Sequence, residues 1–154
     1  MQILNLHEVP EYLSTVAQWL LDEWGQYIPG GSVARAEALL SMRPNAEGLP
    51  LSVVAVDDEY PVGVARLTSH DMNIRPMLSP WLASVFVLPT LRGRGIGTAL
   101  CHEIVESART LGFSELYLFT PDRASFYARQ GWSPIETTSY RDKTVTVMQF
   151  KLDK

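Results

Sequence analysis

The chain has 154 residues, 46% hydrophobic and 19% charged, with a formal net charge of −4. That length fits one domain whose core can bury most of its apolar surface, and the acidic balance argues against a nucleic-acid partner. Cys101 is the lone cysteine, so neither an internal disulfide nor a cysteine-based metal cluster can form, and no metal site is expected.

The N-terminus "MQILNLHEVPEYL" lacks a basic region followed by a long apolar run, so no signal peptide is expected. No apolar segment reaches membrane-spanning length, which predicts a soluble, cytoplasmic protein with no membrane partner. "QILNL" reads as a short first strand. Pro10 suits a first helical turn, and Leu13, Val16, Ala17, Leu20, Leu21 and Trp24 follow at helical spacing. "YIPGGS" interrupts that pattern, and Ser32 is placed to cap a second helix with Ala36, Leu39 and Leu40 inward.

"LSVVAVDDEYPVGVARLTS" reads as a hairpin turning at Asp57, Asp58 and Glu59. The proline-bearing loop "HDMNIRPMLSP" leads into "WLASVFVL", a strand apolar on both faces and therefore central. Ile96, Leu100, Ile104, Ala108 and Leu111 mark one helix face, which Gly112 ends. "SELYLFT" is the next strand, "DRASFYARQ" a short helix ended by Gly131, and "WSPIETTSY" with "TVTVMQFKL" a final hairpin. The order β-α-α-β-β-β-α-β-α-β-β predicts an α/β (α+β) fold with a mixed sheet of about seven strands, helices on both faces and a strand–helix–strand crossover at its centre.

Between the central strand and its helix lies "RGRGIG", Arg92 to Gly97. Three alternate glycines are costly in a plain connection, because each loses extra chain entropy on ordering. A P-loop would need a lysine and a Ser/Thr that are missing here. A dinucleotide fingerprint wants G-x-G-x-x-G, whereas Gly93, Gly95 and Gly97 give G-x-G-x-G, and Glu115 opens the following strand instead of closing it. What fits is a pyrophosphate cradle at a helix N-terminus. Bare backbone N–H groups and the helix dipole favour an anion there, with Arg92 and Arg94 as charge-assisted donors.

Arg92-x-x-Gly95-x-Gly97 after an apolar strand resembles the acetyl-coenzyme A signature R/Q-x-x-G-x-G/A of the GNAT-superfamily N-acetyltransferases. "ASFYARQGW" is similar to that family's later motif A-x-x-Y-x-x-x-G-F, with Ala124, Tyr127 and Gly131-Trp132 in the matching places. Pro121 stands where many members carry asparagine. The resemblance runs from about Trp81 to Leu152 and implies one acetyltransferase domain over residues 1–154, with two parallel strands splayed at the sheet centre. It implies acetyl-coenzyme A as cofactor, bound by Val85, Phe86 and Val87 of the central strand and by Arg92, Gly93, Arg94, Gly95, Ile96, Gly97 and Thr98 of the cradle. It implies Tyr127 as general acid toward the departing sulfur, in contact with the cofactor, and the N–H of Val87 as donor to the thioester carbonyl.

The expected activity is direct acetyl transfer to a primary amine of a small molecule or peptide. A non-catalytic acyl-CoA-binding or sensory domain of the same fold is the alternative. The central strand offers Ser84 but no carboxylate, so the general base is sought through water at Asp71, His70 or Glu23, with Asp71 favoured. Trp24, Asp71, Trp81 and Ser84 are the expected acceptor-site residues, and Tyr140 and Arg141 of the last turn are within possible reach. Asp122 is expected to cap the short helix that follows it. A homodimer is possible on an exposed sheet edge.

Overall fold

In a computed structural model, described over residues 1–152, seven strands form one sheet in the order β1-β2-β3-β4-β5-β7-β6. They are β1 (Gln2–Asn5), β2 (Leu51–Asp57), β3 (Tyr60–Thr68), β4 (Trp81–Val87), β5 (Glu115–Thr120), β6 (Ser133–Tyr140) and β7 (Lys143–Lys151). The helices are α1 (Leu13–Trp24), α2 (Val33–Leu40), α3 (Ile96–Thr110) and α4 (Ala124–Ala128). This is the expected mixed sheet, with α3 as the crossover between the parallel strands β4 and β5.

Local chemistry sets the boundaries. Pro10 opens a single 3-10 turn that feeds α1. Ser32 caps α2 by accepting from the Arg35 amide at 3.2 Å. Past α3, Gly112 takes φ +93, and the amides of Gly112 and Phe113 return to the carbonyls of Arg109 and Ala108. That double return is a Schellman stop, which needs a residue free to adopt positive φ. The β2–β3 turn rests on Asp58 and Glu59, and the β6–β7 turn on Arg141 and Asp142, all at φ between 50 and 65. Two successive left-handed residues give the turn whose twist matches a tight hairpin.

The two faces of the sheet carry separate cores. Leu100, Ile104 and Ala108 of α3 pack on Val53, Ala65 and Leu82. Val16, Leu20, Ala36 and Leu40 of α1 and α2 pack on Val54, Val56 and Val64. Farther along that second face, Met72, Trp81, Tyr117 and Val147 make a third cluster.

The centre of the sheet is deformed. Val64 faces Phe86 and Arg66 faces Ala83, so Ala65 stands opposite two residues, Ser84 and Val85. Ser84 adopts φ +56 to accommodate the extra residue. A bulge of this kind bends its strand and increases the local twist. Beyond it β4 diverges from β5, and the pair retains a single register contact, Trp81 with Tyr117.

Candidate functional site

The divergence opens a cleft of about 1280 Å³ that passes between β4 and β5 and emerges on both faces of the sheet. Leu88 donates its amide to Val62, so Leu88 and Phe86 direct their peptide groups at β3. Peptide groups alternate along a strand, so those of Val85 and Val87 face the gap, where no strand stands opposite.

At one mouth of the cleft the N-terminus of α3 has no side-chain cap. The first helical bond that spans this end is Ala99 N–H to Gly95 C=O, which leaves the amides of Ile96, Gly97 and Thr98 with no intrahelical partner. Gly93 and Gly95 sit at φ +80 and +88, and a Cβ at either would meet nothing within 4 Å. The glycines serve backbone conformation there, and the space beside each is open. Gly97 differs, because a Cβ there would make ordinary contacts with Phe126 and Val87 at 3.5 and 3.7 Å.

The two cradle arginines are not alike. Arg92 lines the cleft while its Nε donates to the Val87 carbonyl. Both are exposed, but Arg94 stands outside the cleft wall.

Tyr127 comes from α4, packed between Phe126 and Trp132 at ring-centroid distances of 5.0 and 6.2 Å. It is 9% exposed and lines the cleft, and its hydroxyl has no hydrogen bond to a described residue. Burial pushes that hydroxyl well above the ordinary phenol range, with Cys101 and Asp122 adding to the rise and Arg123 opposing it. That rise keeps the hydroxyl protonated at neutral pH. Cys101 is fully buried and pushed up to about 12 by that burial, which leaves it an inert thiol.

The start of α4 corrects one expectation. Asp122 is exposed and caps nothing. No side chain caps α4; Thr120, 4% exposed, instead steadies its approach, its Oγ1 accepting from the amides of Arg123 at 2.9 Å and Asp122 at 3.4 Å. The last residue of β5 already holds its side chain over these amides, ahead of the aspartate.

The opposite mouth, on the α1–α2 face, gathers Trp24, Asp71, Ser84, Arg66 and Arg141. Asp71 is held by its loop, which is tied to the far hairpin. Arg75 forms a two-pronged ion pair with Glu136, and the Asn73 amide donates to the Tyr140 hydroxyl at 3.4 Å. Burial pushes the Asp71 carboxyl up to about 6, against the pull of Arg141 and Arg66. Arg141 crosses from the β6–β7 turn to stack its guanidinium 4.0 Å from the Tyr27 ring.

Trp81 does not belong to this wall. It is fully buried, its Nε1 donates to the Leu78 carbonyl at 2.7 Å, and its ring packs on Tyr117 and Phe119. Position at the head of the central strand suggested the cleft, but the indole faces the core beneath it. Arg66 and Tyr27 were not singled out by sequence. The signal for Arg66 was available, a cation inside the apolar run "VGVARLTS". Tyr27 lies in an irregular turn with no pattern to mark it.

Comparison with known proteins agrees with this geometry. The family model described as an acetyltransferase (GNAT) domain matches residues 50–134. N-alpha-acetyltransferase 80 of Mus musculus is 26% identical over 144 residues, covering 89% of this chain and 44% of that protein. The chain thus spans less than half the length of that relative. Among solved structures, an aminoglycoside 6'-N-acetyltransferase complexed with coenzyme A superimposes with a TM-score of 0.78 at 16% identity, covering 100% of this chain and 98% of the other. The aminoglycoside 6'-N-acetyltransferase from Enterococcus faecium gives 0.75 at 18% identity, covering 100% and 98%. At those identities the likeness is one of fold.

Proposed function

The chain belongs to the GNAT acetyltransferase family, and from that membership we propose that it is an N-acetyltransferase using acetyl-coenzyme A and a primary amine of a small molecule or peptide. One observation carries the reading. A single cleft joins an uncapped helix N-terminus, two unpaired strand amides and a buried tyrosine hydroxyl. The residues present fit the cofactor. Amides of Ile96, Gly97 and Thr98 with the open faces of Gly93 and Gly95 suit a pyrophosphate, and Val85 and Val87 suit an extended chain bearing amides. The coenzyme A complex of the structural neighbour and the activity in the mouse relative's name point the same way.

Acetyl-coenzyme A would supply the acetyl group as a thioester. The Val87 amide, facing the gap, is placed to donate to the carbonyl oxygen as charge develops on it. The Tyr127 hydroxyl gives its proton to the leaving sulfur, because burial keeps that hydroxyl protonated at every working pH. Asp71, through water, takes the proton that the amine sheds as its nitrogen bonds to the acetyl carbon. A carboxyl near 6 is ionised at neutral pH yet basic enough to accept that proton. No acyl-enzyme on cysteine is available, since Cys101 is buried and protonated, so transfer is direct.

Tyr127→Phe tests the reading. Affinity for coenzyme A should hold, while kcat falls by about 100-fold, the usual scale for loss of a general acid. Equal turnover of the two proteins would remove Tyr127 as the acid. Absence of thiol release by the unmodified protein across a broad amine screen, with coenzyme A bound, would favour a domain that binds acyl-CoA without catalysis.

A further inference from the structure

Arg66 is a charge that the fold buries without supplying a counter-charge in contact. It is 5% exposed, on the face of β3 that also bears Val64 and looks toward α1 and α2. Its Nε donates to Ser52 Oγ at 3.1 Å, from the residue directly across the β2–β3 ladder. The two Nη groups donate to no described residue. The ion pairs among the described residues are Met1–Asp57, Arg75–Glu136 and Arg109–Glu106, and none includes Arg66. A buried ion without a partner carries a heavy desolvation penalty, and an apolar side chain of similar volume would avoid it. Burial weakens the hold of this guanidinium on its proton, and Asp71 restores that hold only in part.

The position explains what the charge is for. Arg66 lines the acceptor mouth of the cleft, near enough to Asp71 for each to shift the other's ionisation. Arg141, from the β6–β7 turn, acts on the same carboxyl. Arg43, Glu23 and His70 line the same mouth. The guanidiniums of Arg66, Arg141 and Arg43 therefore stand against the carboxylates of Asp71 and Glu23 there. Ser52 engages Nε and leaves both Nη groups without a protein partner on a residue that lines the cleft, and a free fork of this kind takes a carboxylate in bidentate fashion.

We propose that the acceptor carries a carboxylate close to its reacting amine, and that Arg66, seconded by Arg141, binds it and determines specificity. The class is an α-amino acid, or a peptide whose first residue is acidic. Amines bearing only positive charge are excluded, since they would set like charge against Arg66. The inference rests on the acetyl-transfer reading and narrows its acceptor.

Two matched pairs test it, glycine with glycinamide and the peptides Asp-Ala-Ala-amide with Asn-Ala-Ala-amide, followed by thiol release from acetyl-coenzyme A. The acid member of one pair should exceed its carboxamide in kcat/KM by about tenfold or more, the scale for a buried charge-assisted contact. The pair that responds tells an α-carboxylate from a side-chain carboxylate. Arg66→Met should abolish the preference, leave coenzyme A affinity unchanged, and unfold no earlier than the unmodified protein. Arg66→Gln, which keeps hydrogen-bonding capacity, serves if Arg66→Met does not fold. Equal use of acid and carboxamide in both pairs would overturn the inference and leave acetyl transfer standing, as would a preference that survives loss of Arg66. Thiol release with none of the four, while a cationic polyamine is acetylated, would overturn it as well. Release with no amine of any class would instead sink the acetyl-transfer reading beneath it.

Discussion

Arg92 turns its Nε back onto the carbonyl oxygen of Val87, 2.8 Å away, and carries its guanidinium 5.5 Å from the centroid of the Phe86 ring. The ring of Trp19 meets Phe86 at 5.4 Å. The first residue of the glycine-rich signature thus clamps the end of the central strand as well as facing the cleft. Strand, clamp and cradle are one unit, so the amide of Val87 is held where the α3 amides can act with it.

The clamp separates two arginines that look equivalent in "RGRG". Arg92→Ala should lower stability by about 1 kcal/mol, for one hydrogen bond to a charged group at a part-exposed site, and weaken coenzyme A binding by about tenfold. Arg94→Ala should leave stability within about 0.5 kcal/mol, as exposed substitutions do. Thermal unfolding and calorimetric titration with coenzyme A separate the two. Equal losses from both variants would mean that the bond to Val87 contributes nothing.

Gly95 and Gly97 should part in the same way. At φ +88 any Cβ is strained, and at Gly95 it would also project into the open cradle, so Gly95→Ala should cost about 1 kcal/mol and depress coenzyme A affinity. Gly97 lies in the first turn of α3 with room for a methyl group, so Gly97→Ala should gain about 0.5 kcal/mol from helix propensity and keep affinity. Paired urea titrations and binding isotherms check both signs.

What was legible in the chain follows physical locality. The apolar periodicity of α1 and α3, the stop at Gly112 and the hairpin at Asp58 and Glu59 are local properties, and each appears in the fold where its residues dictate. The glycine-rich turn into α3 was legible because glycine spacing beside arginine is a local pattern too. The kink at Ser84 was not, because a serine at positive φ has no sequence signature and the bulge is defined only by the register against β3. Arg66 was hidden for the same reason, since its isolation depends on what β2, β4 and the loop holding Asp71 do not offer it. Trp81 misled because the loop bearing Met72 and Leu78 folds back over the head of the strand, and nothing in the strand's own pattern shows that cover.

The carboxyl of Asp71 gives the site a pH signature. Its folded value of about 6 lies above the ordinary 3.8, so the folded chain keeps a proton that the unfolded chain releases within that window. Stability from this group therefore falls as pH rises from about 4 to about 6 and is level beyond, because the folded state binds more protons there. Catalysis runs the other way. With Asp71 as base, kcat should climb through about pH 6 to a plateau. Asp71→Asn should flatten that limb and lower kcat by about 100-fold. Arg141→Gln removes a cation that favours the ionised form, so the limb should move to higher pH. A limb unmoved in both variants would assign the titration to another group.

Tyr127 depends on Thr120 through the backbone of α4. Thr120 Oγ1 accepts from the amides of Asp122 and Arg123, and the helix that begins there carries Tyr127 four residues beyond Arg123. Thr120→Val keeps the shape and removes the acceptor, so two amides lose their partner and stability should fall by about 1 to 2 kcal/mol. Thr120→Ser should restore most of it, because the oxygen remains. Asp122→Ala should be nearly neutral, the opposite of what a capping aspartate would give. The enzymatic consequence is separable from the thermodynamic one. A five-residue helix has little cooperativity of its own, so loosening its first turn should spread the positions of the Tyr127 hydroxyl. Measured well below the melting transition, Thr120→Val should therefore lower kcat about tenfold with KM for acetyl-coenzyme A little changed, since only the proton donor is displaced. A normal kcat in a folded Thr120→Val protein would show that packing against Phe126 and Trp132 suffices to hold the tyrosine.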